Sequence, residues 1–294
     1  MTDVTNSIRE IHMRSRDALN LFARHYPAPH STRRPLLCLP GLTRNHRDFH
    51  DVAAALSAPG PHQRAVYCLD YRGRGGSDWD SDWKNYAVPI EMLDVIDFLF
   101  MQELHEVAIL GTSRGGLISM LLAAAQPSLV GPVILNDIGP VVETDGLTRI
   151  ATFVGRIPLP RTWDEATRLV AAANTAQFPN ISYETWGEVA RQLFNEKNGQ
   201  PDHGYDPELK NAMSVLDGPM PELWPQFGAL SRVPVMVIHG QKSDILSAKT
   251  VDAMARHHPN LTTLTIPDEG HAPLLKDADS ISKISQFLAA TDPH

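Results

Sequence analysis

The sequence predicts an α/β protein, with a mostly parallel central sheet covered on both faces by helices and a helical lid inserted in the later half of the chain. Three observations predict it. Short apolar runs such as "RPLLCLPG", "EVAILG" and "GPVILND" alternate with helical patterns. Strands without a polar alternation are those buried on both faces of a parallel sheet. From about Pro140 to Arg232 this alternation stops, and helical stretches broken by Pro and Gly take its place. It then resumes with "VPVMVIHG", so the helical segment interrupts one domain rather than following it. The expected division is a core of residues 1–139 and 233–294, with a lid of residues 140–232.

In order, "RPLLCLPG" reads as a strand, Phe49 to Leu56 as a helix, "AVYCLDY" as a strand and "PIEMLDVIDFLFMQEL" as an amphipathic helix. "EVAILG" is the next strand. "RGGLISMLLAAAQP" is an apolar helix stopped by Pro127, and "GPVILND" is a strand. The insertion holds helices in "TWDEATRLVAAANTAQF" and "YETWGEVARQLFNEK", with no convincing central strand. After "VPVMVIHG" come a helix near Ala248 to His257, the strand "LTTLTIP" and a closing helix from Ile281 to Ala289.

Composition removes several classes of function. The 294 residues, 43% hydrophobic, can bury a sizeable core. A formal charge of -8 gives no basic footprint for nucleic acid or an anionic membrane surface. The opening "MTDVTNSIREIHMR" lacks an apolar signal core, and no run approaches a membrane span, so a cytoplasmic protein is expected. Cys38 and Cys68 lie in apolar stretches as small hydrophobes, arranged neither as a disulfide framework nor as a metal site. No phosphate-loop or metal-ligand pattern is present, so no metal and no cofactor are expected.

The chemistry centres on Gly111-Thr112-Ser113-Arg114-Gly115, a G-x-S-x-G pattern placed directly after a strand and directly before a helix. A serine there is exposed above the sheet edge, and the N–H of Arg114 at the helix start faces a developing oxyanion. A serine hydroxyl is a poor nucleophile without a base. "IPDEGHAPLL" supplies His271 in a loop after the last strand, on the rim that parallel strands share at their carboxyl ends. Two carboxylates compete to orient the imidazole: Asp244 in "VIHGQKSDIL" and Asp137 in "VILNDIGP". The order serine, acid, histidine, with the acid on the strand before the histidine loop, favours Asp244 and leaves Asp137 a structural role near the start of the lid. Gly41 lets the backbone approach closely, so the N–H of Leu42 is the second oxyanion donor.

These residues carry a resemblance. "LPGLTRNHRDF", "LDYRGRGGSD", "GTSRGG", "HGQKSD" and "GHAP" are similar, over essentially the whole chain, to the α/β-hydrolase superfamily and its lidded esterase and lactonase-like branch. Pro40 and Arg114 depart from commoner choices, but neither removes a backbone donor. The resemblance implies a serine hydrolase that cleaves small-molecule carboxylic esters or lactones through an acyl-enzyme. Its residues would be Ser113 as nucleophile, His271 as base, Asp244 as acid, and Leu42 and Arg114 as oxyanion donors. The same set could hydrolyse a carbon–carbon bond in a diketone, and a binding module on a disabled hydrolase is disfavoured because no member of the set is missing. Arg44 and Asn45 are candidate substrate contacts, Asn45 because its amide both donates and accepts.

Two further expectations concern the rim. Arg44, Arg47, Arg72, Arg74 and Arg114 could border one pocket and attract a substrate carboxylate, against the plainer reading that Asp48, Asp70, Asp78, Asp80 and Asp82 neutralise them. Phe153, Trp163, Phe178, Trp186 and Phe194 are expected to form lid core more than substrate contacts.

Overall fold

A computed structural model describes residues 7–214 and 221–293. Among them, eight strands form one sheet: β1 (Arg9–Arg14), β2 (Asn20–Tyr26), β3 (Leu36–Leu39), β4 (Val66–Leu69), β5 (Val107–Thr112), β6 (Val130–Asn136), β9 (Val235–Gly240) and β10 (Leu261–Ile266). Their spatial order is β1-β2-β4-β3-β5-β6-β9-β10. From β4 through β10 every pairing is parallel, whereas β1/β2 and β2/β4 are antiparallel.

Strand alternation divides the core into two layers. Leu37, Leu39, Ile109, Val133, Leu135, Val235 and Val237 face one side, where they meet α2 (Val88–Met101), α3 (Arg114–Ala125) and α9 (Ala248–His257). Leu36, Cys38, Ala108, Leu110, Ile134, Met236 and Ile238 face the other, against α1 (His50–Ser57) and α10 (Ala278–Ala290). Burial on both faces is why β3, β5, β6 and β9 read as continuous apolar runs. Burial also pushes the Cys38 thiol well above its usual range, as suits an inert core residue.

Between β6 and β9 lie α4 (Thr144–Phe153), α5 (Trp163–Asn174), α6 (Tyr183–Leu193), α7 (Leu209–Ser214) and α8 (Trp224–Ala229). Helices α5 and α6 are N-capped by Thr162 and Ser182, whose hydroxyls accept from the N–H groups of Glu165 and Thr185. They close a small core of their own around Phe178, Trp186 and Phe194, as the aromatic spacing predicts. The insertion also contains a hairpin that the helical reading omits, β7 (Asn195–Lys197) with β8 (Gln200–Asp202). Its turn is Asn198-Gly199, both at positive φ, the conformation that tight hairpins require.

Candidate active site

The end of β5 turns so sharply into α3 that Ser113 sits at φ +51, ψ -113, a region a non-glycine residue rarely occupies. The turn is possible because α3 comes very close to the sheet. A Cβ on Gly115 would lie 2.1 Å from the carbonyl oxygen of Leu39, so only glycine fits.

His271 reaches the serine from the loop after β10. Its Nε2 lies 2.8 Å from Ser113 Oγ, and its Nδ1 lies 2.8 Å from Asp137 Oδ2. The loop is held from both sides: Asn136 Nδ2 donates to the carbonyl of Pro273, and the N–H of His271 donates to Gln177 Oε1 from the insertion. The imidazole is almost enclosed, with 7% of its side chain accessible, and Asp137 is fully buried.

Asp137, and not the favoured Asp244, is therefore the carboxylate at the imidazole. Asp137 follows β6 with φ +57, and its side chain meets His271 at the strand ends. There it also accepts from the N–H of Gly240 and from Ser243 Oγ. Asp244, one loop farther on, is turned away by a two-point ion pair with Arg149 of α4, at 2.6 and 2.9 Å. Burial works to raise the Asp244 carboxyl, but hydrogen bonds from Arg149 and Gln177 outweigh it and hold it below the usual range. A partner supplied from 95 positions away by the insertion leaves no mark in the local sequence.

The oxyanion candidates, Leu42 and Arg114, line one cavity together with Ser113. Gly41 lies against Ser113, since a Cβ built on it would come within 3.8 Å of the serine Cβ. Neither the N–H of Leu42 nor that of Arg114 is taken by a protein acceptor among the described residues. Both residues are fixed from behind by Glu91, a fully buried carboxylate on α2 that sequence reasoning passed over. Glu91 Oε2 accepts from Arg114 Nε, and Glu91 Oε1 accepts at 2.7 Å from Nη1 of Arg74, whose Nε donates to the carbonyl of Leu42 at 2.8 Å. Two buried acids three positions apart on α2, Glu91 and Asp94, face the two arginines after β4, and that match was the available signal.

Asn45 does not reach the cavity. It is fully buried, its Oδ1 accepts from the N–H of Arg47, and its Nδ2 donates to the carbonyl of Gln192. Arg44 does line the cavity beside Ser113 and is paired twice with Asp48. The five rim arginines largely follow the neutralised reading, although the acids are often not the nearest in sequence. Arg72 binds Asp94, Asp17 and Asp80, Arg74 and Arg114 share Glu91, and Arg47 donates to Gln192, Phe194 and Asn195 of the insertion.

Ser113 stands where two cavities meet. One, of about 240 Å³, lies beneath α5 and α6 and is lined by His271 together with Arg44, Arg149 and Asn174. Aromatic residues expected as lid core, Phe153, Phe178, Trp186 and Phe194, line it as well. The other, of about 610 Å³, opens beside α3 and is mostly aliphatic. Among the described residues no cluster of His, Cys, Asp and Glu could hold a metal ion, and no helix is long and apolar enough to cross a membrane.

Parallel sheet, strained serine turn and histidine loop together define an enzyme scaffold of the α/β-hydrolase type. An alpha/beta hydrolase family model matches residues 36–282, and the chain belongs to that family. It is 33% identical to a 3-hydroxybutyrate-oligomer hydrolase of Cupriavidus necator over 264 residues, 87% of this chain and 88% of the relative. It is 25% identical to a 2-(acetamidomethylene)succinate hydrolase of Mesorhizobium japonicum over 80% of this chain and 81% of that one. Among solved structures, an alpha/beta hydrolase from Novosphingobium aromaticivorans superposes with a TM-score of 0.89 at 35% identity, covering 97% of this chain and 99% of the other. Family and relatives together support a hydrolase.

Proposed function

We propose that the protein is a serine hydrolase of carboxylic esters or lactones, acting through an acyl-enzyme in which Ser113, His271 and Asp137 form the catalytic relay. The observation that carries the reading is the unbroken chain from Ser113 Oγ to His271 Nε2 and from His271 Nδ1 to Asp137, each link 2.8 Å. In this reading His271 takes the serine proton as Oγ bonds to the substrate carbonyl carbon. The N–H groups of Leu42 and Arg114 hold the resulting oxyanion. The imidazolium then protonates the leaving alcohol, and water, deprotonated by the same imidazole, releases the acid and restores Ser113. Asp137 keeps the imidazole in the tautomer that presents a lone pair to the serine.

An ester bond needs nothing more than this set. Carbon–carbon cleavage needs a further polar grip on a second carbonyl, and Asn45, the residue suited to it, is committed elsewhere. A 3-hydroxybutyrate oligomer, the substrate in the Cupriavidus relative's name, is itself joined by ester bonds, in keeping with this preference. The insertion covering the smaller cavity serves as its lid. A fluorophosphonate should label Ser113, and Ser113→Ala should lower kcat on p-nitrophenyl esters by about 10³ or more with an unchanged fold. Labelling of another serine, or an active Ser113→Ala, would overturn the assignment.

A further inference from the structure

The relay divides the space around Ser113 by chemistry. His271 lines the smaller cavity and is absent from the wall of the larger one, whereas Ser113 and Leu42 line both. Resting on the esterase reading above, we infer that the acyl chain of the substrate occupies the larger, aliphatic cavity and that the alcohol occupies the smaller one under α5 and α6.

The argument follows the proton. When the tetrahedral intermediate collapses, the bond between the carbonyl carbon and the alcohol oxygen breaks, and that oxygen takes the proton His271 Nε2 acquired from Ser113. The alcohol oxygen must therefore lie on the imidazole side of Ser113 Oγ, within hydrogen-bond reach of Nε2. The carbonyl oxygen is committed to the N–H groups of Leu42 and Arg114. The remaining substituent of the tetrahedral carbon, the acyl chain, is directed away from the imidazole and toward the wall that Leu42, Ser113 and Arg114 share with the larger cavity.

That wall suits a hydrocarbon. Leu117, Leu121, Val142 and Leu147 line it; of the two cations that border it, Lys84 is exposed, and the guanidinium of Arg114 is turned to Glu91 and to the carbonyl of Tyr86. The smaller cavity is also lined largely by apolar side chains, Phe153, Phe178, Trp186 and Phe194 among them, but it adds two cations. Arg44 and Arg149 each use Nε and Nη2 on their aspartates, which leaves both Nη1 groups without a protein acceptor among the described residues. The substrate class is thus an ester of an apolar acid several carbons long with a compact alcohol that carries oxygen acceptors.

Two ester series test the assignment: one of increasing acyl length with a common alcohol, the other of one acid with ethanol, ethylene glycol and glycolate. In the unaltered enzyme kcat/KM should rise about two- to fourfold per acyl methylene until the cavity is filled, the upper value corresponding to ~0.8 kcal/mol per buried CH₂. Among the alcohols, the oxygen-bearing ones should exceed ethanol. Leu121→Trp, on the wall of the larger cavity, should cut off long acyl chains at least tenfold and leave the alcohol ranking alone. Ala173→Trp, on the wall of the smaller cavity, should do the reverse. If Leu121→Trp fails to fold by circular dichroism, Val142→Phe on the same cavity gives the same reading. An acyl series that is flat or falls from acetate onward, or variants that exchange their effects, would overturn the assignment while ester turnover and Ser113 labelling leave the esterase reading standing. Loss of both turnover and labelling in the unaltered enzyme would remove both.

Discussion

Replacing Glu91 by Gln separates the support of the proposed oxyanion site from its proposed donors. The change keeps the shape of the side chain and removes the charge that faces Arg74 and Arg114, whose side chains are 0% and 13% accessible. Breaking a buried ion pair by neutralising one partner costs roughly 3–5 kcal/mol, because the remaining charge stays desolvated. The glutamine oxygen can still accept from one guanidinium, so the lower half of that range is expected. At about 2 °C per kcal/mol for a chain of this size, the melting temperature should fall by roughly 6–8 °C.

Catalysis should suffer separately. Arg74 would hold the carbonyl of Leu42, and Arg114 its place at the start of α3, with less restraint, so both oxyanion donors would drift. Removal of one such donor costs about 10²–10³ in kcat, and a shift of both without removal should cost about 10–100-fold. Because the donors act on charge that exists only in the transition state, KM should change by less than about threefold. The assay is calorimetry with steady-state kinetics on one p-nitrophenyl ester at a temperature where both proteins are folded. Asp292→Asn is the control, since it loosens the partly buried pair with Arg33 and Arg64 far from the serine, and it should lower the melting temperature with kcat unchanged. A Glu91→Gln enzyme with kcat within twofold of the original, or a loss confined to KM, would refute the reasoning.

Asp137→Asn should lower kcat by about 10³–10⁴, since an amide can present a donor where the imidazole N–H needs an acceptor, whereas Asp244→Asn should change kcat by less than about threefold; the opposite ranking in steady-state kinetics would return the acid role to Asp244. Mild acid should destabilise the fold through His25, which stacks on Tyr67 at 4.2 Å and which burial, helped by the charge of Arg9, depresses to about 4. With the folded value below the unfolded one, the unfolded chain binds more protons between about pH 6.5 and 4, so stability is full above that window and falls on acidification through it. His25→Phe should show a shallower decline of melting temperature across the same window, and parallel curves would count against the assignment.

How far the sequence was legible depended on how local the determining contacts are. The parallel strands could be read because burial on both faces leaves continuous apolar runs, and Ser113 and His271 because each follows a strand end. Strands β1 and β2 were not recognised: "REIHMR" and "NLFARHY" mix charge with apolar residues, as suits an antiparallel edge with mixed exposure. The hairpin β7–β8 carried its Asn-Gly turn in plain view, but its strands are three residues long and have no β-branched or aromatic side chains. The choice between Asp137 and Asp244 was decided by a positive φ at one and an arginine from α4 at the other, and neither is a property of the neighbouring residues. Glu91 was hidden for the same reason, since it is one of three acids on α2 and the arginines it binds, Arg74 and Arg114, lie outside that helix.

The placement of the acid on β6 also sets a clock. Ser113 and Asp137 are both made before the ribosome reaches the insertion, whereas His271 lies 134 positions beyond Asp137. At roughly 5–20 residues per second, translation separates them by about 7–27 s. Under the proposed relay, the nascent chain carries through that interval a serine still without its base. Competence under that relay waits on the docking of the loop after β10 between Asn136 of the core and Gln177 of the insertion.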